Sequence, residues 1–133
     1  MEDTKRRLQI LRMTKEFQCS SDAELRALVP YFDEVAVPTG TCLAQEGRLS
    51  HQFFIVTEGE LETCRQGTRG KLEVGDSFGW NAMYEHGWDD ATVAAASSAR
   101  LLVMGHAQFR AVKAIFSEPA ESSKPALSRS LAS

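Results

Sequence analysis

The sequence predicts a mainly β domain with flanking helices, an antiparallel β-roll or jelly-roll barrel of about eight strands. Three observations lead there. Short apolar stretches with period two, such as Val35/Val37, Leu72/Val74 and Val93/Ala95, recur through residues 33–105. Glycine turns punctuate them: Pro38-Thr39-Gly40, Glu46-Gly47, Glu58-Gly59 and Gly75-Asp76. Helical spacing is confined to the two ends. Short strands at even intervals with glycine turns are the pattern of closed or two-sheet antiparallel folds, which leave a hollow at one end.

Residues 1–32 read as a helical segment packing on the barrel. Ile10, Met13 or Thr14, and Phe17 share one face of a helix over residues 3–17, with Leu8 and Leu11 beside it. Lys5-Arg6-Arg7 reads as a solvated first turn. Ser21-Asp22-Ala23-Glu24 is a capping box, in which a serine hydroxyl and a glutamate satisfy the backbone donors of a helix start. Leu25, Leu28 and Val29 continue that helix until Pro30 ends or bends it. Strands follow at Val35/Val37 and Cys42/Ala44. Phe53 to Val56 is a continuous apolar run, as in a strand buried on both faces. Leu61 and Thr63 lie in the next strand, and Gln66 to Gly70 form a hairpin loop. Val93/Ala95 and Leu101 to Met104 make the last two strands, joined at Ser97-Ser98. Residues 106–116 return to helical spacing through Phe109, Val112 and Phe116. Residues 117–133, rich in Ser, Ala and Lys with Pro119 and Pro125, read as a flexible tail.

The stretch 75–93 organises the rest. Gly75-Asp76-Ser77-Phe78-Gly79 is a strand end and turn, and Trp80-Asn81-Ala82-Met83 is long enough for one helical turn. Backbone N–H groups at such a start lack internal partners and suit an anion. In order, Pro38-x-Gly40, Glu46-Gly47, Phe53-Phe54-Ile55-Val56-x-x-Gly59-Glu60-Leu61, Gly75-Asp76-x-Phe78-Gly79 and Ala91-Thr92-Val93 resemble the cyclic nucleotide-binding domain family over about residues 17–116. The resemblance implies that 75–93 is a phosphate-binding cassette, with Phe78, Gly79, Trp80, Asn81, Ala82, Met83, Asp89, Asp90, Ala91 and Thr92 as its ligand-side residues. In that family a glutamate follows Phe-Gly and holds the ribose 2′-hydroxyl, and an arginine two residues before Ala-Thr grips the cyclic phosphate. Trp80 and Asp89 occupy those places. The cassette is degenerate in both of its ligand-reading side chains.

The 133 residues suffice for one domain with a real core. A formal net charge of −3 argues against nucleic acid, which selects a basic stripe. No apolar run reaches the ~18 residues that span a bilayer, and Met1 to Arg7 precede no apolar leader core, so a cytoplasmic protein without membrane contact is expected. Cys19, Cys42 and Cys64 are odd in number and widely spaced, as reduced thiols would be. His51, His86 and His106 show no metal-ligand spacing, no serine sits in a Gly-x-Ser-x-Gly context, and His86 beside Glu85 reads as a solvated loop residue. No metal, cofactor or enzymatic activity is expected.

Trp80 and Trp88 flank the cassette, and an indole there either stacks on a ligand or fills the vacated pocket. Thr92 is a pocket-facing hydroxyl in the family, and reads equally as a strand residue satisfied locally. Arg48, Arg65 and Lys71 are the cations that would replace the missing arginine. The family's long capping helix is not expected, because the prolines after 116 interrupt it. A helix-turn-helix after the roll is not expected either. The expected function is a stand-alone regulatory module sensing a small ligand other than a conventionally bound cyclic nucleotide. The alternatives are a protein-interaction module with a filled pocket, and cyclic nucleotide binding in a non-standard mode. A protein partner or a homodimer fits either course.

Overall fold

The computed structural model describes residues 2–80, 82–83 and 87–117. The expected tail falls outside them beyond Ser117, as do Asn81 and His86. Helix α1 runs Glu2–Met13 and α2 runs Asp22–Leu28; strands β1 Asp33–Val37, β2 Cys42–Ala44, β3 Gln52–Glu58, β4 Leu61–Arg65, β5 Thr68–Leu72, β6 Ser77–Phe78, β7 Thr92–Ala95 and β8 Ala99–Gly105 follow; α3 His106–Ser117 ends the described chain. The strands form two four-stranded sheets, ordered β1-β8-β3-β6 and β2-β7-β4-β5, with antiparallel pairing throughout.

Strand β3 explains why the molecule has three layers. Phe53, Phe54, Ile55 and Val56 are all fully buried. Successive side chains leave a strand on opposite faces. Phe53 and Ile55 therefore join the helices, packing with Leu11, Leu28 and Phe109. Phe54 and Val56 point between the sheets and pack with Leu61, Val93 and Leu101. A continuous apolar run is the right sequence for a strand with no solvent side.

The first helix is shorter than its periodicity implied. Thr14 has an extended backbone (φ −76°, ψ 128°), and its buried hydroxyl donates to the Ile10 carbonyl at 2.8 Å. That bond satisfies a helix-end carbonyl and stops the helix. The chain resumes as one 3₁₀ turn, Lys15–Phe17. The break lets Phe17 reach the core and leaves Lys15 and Glu16 beside the roll. The capping box of α2 forms as read, with Glu24 N–H on Ser21 Oγ at 3.2 Å and Ser21 N–H on Glu24 Oε1 at 2.8 Å. Pro30 sits in a 3₁₀ turn, Val29–Tyr31, that carries the chain into β1. The loop expected at 66–70 is tighter: only Gln66 and Gly67 turn, both with positive φ (50° and 84°), and Gly70 lies within β5 opposite Thr63.

Candidate functional site

Two local features build the cassette. Asp76 accepts the Glu73 N–H at 2.8 Å, and its backbone pairs with Val56, anchoring the turn against β3. Gly79 then adopts φ +104°, and a Cβ there would sit 2.7 Å from the Gln52 carbonyl oxygen. Only glycine permits that backbone and that approach. After it the Met83 N–H bonds to Gly79 O at 3.0 Å and Gly87 N–H to Ala82 O at 2.7 Å, a widened turn.

Trp80 leaves this turn toward the helices. Its ring meets Phe17, Phe53 and Phe109 edge to face, with centroids 5.5, 5.2 and 4.9 Å away. Such T-shaped contacts are favourable beyond the area they bury. Met83 packs in the same layer.

Between the sheets, at the cassette end, a cavity of about 540 Å³ remains. Such a volume is ordinary for a small-molecule site. Phe78, Gly79, Trp80 and Ala82 form one wall. Thr63 and Arg65 of β4, with Leu72 of β5, form another, and Asp90 and Ala91 close the side toward β7. Lys15, Glu16 and Ser77 edge the mouth. Ser77 Oγ donates to Glu16 Oε1 at 2.7 Å, tying the 3₁₀ turn to β6.

The cassette acids separate. Asp89 is not among the residues around the cavity; it is buried (5% exposed) beneath the 45–50 loop. Its backbone clasps that loop: Gly47 N–H bonds to Asp89 O at 2.9 Å and Asp89 N–H to Arg48 O at 2.8 Å. Burial pushes the Asp89 carboxyl above the usual aspartate range. The Ser50 hydroxyl, the Gln45 backbone and the charge of His51 pull it back in part, and Asp90 adds to the rise. Asp90 is the acid that borders the cavity.

Of the ten residues read from the sequence as ligand-side, Phe78, Gly79, Trp80, Ala82, Asp90 and Ala91 come together around the cavity. Asn81 lies outside the described residues. Met83 and Asp89 belong to other layers. Thr92 alternates to the outer face, where its hydroxyl accepts the Glu46 N–H at 3.1 Å, the locally satisfied alternative. Of the three candidate cations, Arg65 reaches the cavity; Lys71 is paired with Glu60 at 3.2 Å. The period of β4 carried the signal for Arg65: Leu61 is core, so Thr63 and Arg65 share its inward face. Nothing local marks Lys15 or Glu16, which arrive through tertiary packing; Ser77 lies on the cassette stretch itself. Among the described residues no cluster of His, Cys, Asp and Glu could hold a metal ion, and no helix is long and apolar enough to cross a membrane.

Comparison with known proteins places this geometry. Residues 34–115 match the family model described as "cyclic nucleotide-binding domain". A cGMP-dependent protein kinase, egl-4 of Caenorhabditis briggsae, is 31% identical over 86 residues, covering 64% of this chain and 12% of the kinase. The regulatory domain of Toxoplasma gondii PKA, solved with cAMP, superposes with a TM-score of 0.75 at 26% identity, over 84% of this chain and 44% of that one. A cyclic nucleotide-binding-like protein from Brucella abortus shares the fold, with a TM-score of 0.67 at 18% identity over 80% of this chain and 96% of that one. The chain thus spans about one eighth of the kinase and under half of the Toxoplasma chain.

Proposed function

The chain belongs to the cyclic nucleotide-binding domain family, and on that premise we propose that it is a regulatory module whose cavity takes a small ligand other than a conventionally bound cyclic nucleotide. One observation carries the reading. The cavity is open at about 540 Å³ while the indole in the ribose-reading position is held by three core rings. A pocket abandoned to packing would be expected to hold that indole instead.

The cavity's chemistry argues against cyclic AMP or cyclic GMP in the family's manner. No arginine stands in the cassette, so the charge-assisted, bidentate grip on phosphate is absent. Its loss removes about 1.5–3 kcal/mol. Asp90 at ~4 Å from a phosphate adds about 4 kcal/mol of repulsion at an effective dielectric near 20. Together these amount to roughly four to five decades of affinity. Arg65 borders the same space and offsets part of the loss. Indole donates only, so Trp80 cannot accept a ribose hydroxyl proton. Calorimetry should give dissociation constants weaker than about 10 µM for both nucleotides; tighter binding refutes the proposal. A thermal-shift screen of small polar metabolites should yield at least one ligand, since saturation near 100 Kd adds about 2.7 kcal/mol.

A second reading, a protein-interaction module, is favoured by one feature. Leu49 (70% exposed), on the 45–50 loop, and Trp88 (50% exposed) are bridged to each other at the surface. If that pair joins two copies, sedimentation will show concentration-dependent association that Leu49→Asp abolishes.

A further inference from the structure

We infer that Met13 is an oxidation site: hydroperoxides convert its thioether selectively to the sulfoxide, and the change weakens the turn on which the cassette stands. The inference does not depend on any ligand for the cavity. It comes from a contrast among the methionines. Met104 is fully buried and Met83 packs half-buried against the helical core, whereas Met13 is 54% exposed. Met1 lies outside the described residues. An oxidant must reach the sulfur, so exposure decides which thioether reacts.

An exposed apolar side chain is ordinary in itself, but this one covers a turn. Met13 is the last residue of α1 and lies across Gly75. A Cβ built on Gly75 would stand 2.8 Å from Met13 Cε and 3.6 Å from its Sδ, so the thioether fills the space above that backbone. Beneath it the Gly75 N–H bonds to Val56 O, and the Val56 N–H to Asp76 O, both at 2.9 Å. The chain runs from this turn directly into β6 and Gly79. Met13 and Gly75 also border a groove of about 290 Å³. Lys15, Leu72 and Ser77 line both that groove and the cavity, so the groove runs into the cavity mouth.

In the reaction a sulfur lone pair attacks one oxygen of the hydroperoxide. The S–O bond forms as the O–O bond breaks, and the proton of the attacked oxygen passes to the departing one. Sulfur gives up two electrons; hydrogen peroxide leaves as water, an organic hydroperoxide as the alcohol. The product replaces a pliable apolar group by a polar one, and a weak acceptor by a strong one. The apolar cover over Gly75 is lost, and the new oxygen stands in the groove that the Lys15 ammonium borders.

The test treats the full chain with hydrogen peroxide and then with dithiothreitol. The thiol undoes sulfenates and disulfides at the exposed Cys19 and Cys42 and leaves the sulfoxide in place. Peptide mass mapping should show Met13 gaining one oxygen about tenfold faster or more than Met83 and Met104. The protein oxidised at Met13 should melt about 2–5 °C lower. Methionine sulfoxide reductases acting on both epimers should restore the midpoint. Met13→Leu keeps an apolar cover without sulfur, so peroxide should leave its midpoint unchanged. Should that variant itself melt low, recovery of the natural chain by the reductases carries the same decision. The inference is overturned if Met83 or Met104 reacts as fast as Met13, if the oxidised protein melts unchanged, or if Met13→Leu loses as much on treatment as the natural chain.

Discussion

At the residue scale, two side chains of the cassette stretch hold structural places, and each has a measurable energetic consequence. Trp80 belongs to a ring cluster that joins the cassette to the 3₁₀ turn and to α3. Trp80→Ala should lower stability by about 3 kcal/mol, the low end for a truncated tryptophan because this one is half-buried. Chemical denaturation would read that loss. Asp89 behaves oppositely to an ordinary surface carboxylate. Burial raises its folded pKa above the unfolded value of 3.8. The folded state therefore binds the proton more tightly than the unfolded state. Ionisation costs nothing below the unfolded value, begins to penalise the fold as pH rises past it, and imposes its full penalty above the folded value. Asp89→Asn should match the natural protein near pH 3.5 and be the more stable of the two at pH 7, because the amide keeps an acceptor for the Gln45 backbone without the charge. Melting midpoints across pH test this; an asparagine variant that is less stable at neutral pH would show that the carboxylate is held by its partners more strongly than it is penalised.

At the element scale, what was legible in the sequence was whatever is encoded locally. The buried character of Phe53 to Val56, the capping box at Ser21 and the glycine turns all rest on near neighbours, and each stands in the structure in kind. The site was legible by half. Phe78, Gly79, Ala82, Asp90 and Ala91 lie on the stretch that the glycines mark out. Lys15 and Glu16 sit some sixty residues earlier and reach the cavity only because Thr14 breaks its helix, an outcome of a side-chain bond that periodicity does not encode. The inward or outward choice at 89–92 was equally hidden. Residues 89–91 precede β7 and are not held to strand alternation, so nothing in the sequence says that Asp90 rather than Asp89 meets the cavity. Gly79 is the element's most exacting position. Gly79→Ala should cost about 1–3 kcal/mol through its positive φ, and more if the added carbon cannot clear the Gln52 carbonyl. At roughly 3–6 °C per kcal/mol for a chain of this size, a thermal melt resolves it.

At the scale of the whole molecule, the helical layer is fastened to the sheets by charge as well as by packing. Glu34 on β1, only 17% exposed at its side chain, receives Arg6 at 3.5 Å, Arg7 at 3.4 Å and Arg100 at 3.4 Å. Arg6 also reaches Glu58 at 2.7 Å. One carboxylate thus joins α1, β1 and β8. Exposed ion pairs contribute little, but a partly buried acid shared by three guanidinium groups leaves unbalanced charge when removed. Glu34→Gln should cost about 1–2 kcal/mol, between the exposed and fully buried limits, and the deficit should shrink in 1 M salt, where the Debye length is about 3 Å. Parallel denaturant titrations at low and high salt would show it. With a formal net charge of −3, the molecule should also fail to shift duplex DNA in a low-salt gel, since phosphate neutralisation supplies most of such binding.

The ring cluster around Trp80 has an optical consequence. The chain contains two tryptophans, one enclosed by Phe17, Phe53 and Phe109 and the other half-exposed at the surface. They are two chromophores in unlike solvents. A water-soluble collisional quencher such as iodide should extinguish Trp88 first and leave a blue-shifted emission from Trp80. Because Trp80 borders the cavity, its emission offers an unlabelled gauge of occupancy, readable in a cuvette before any ligand has been identified.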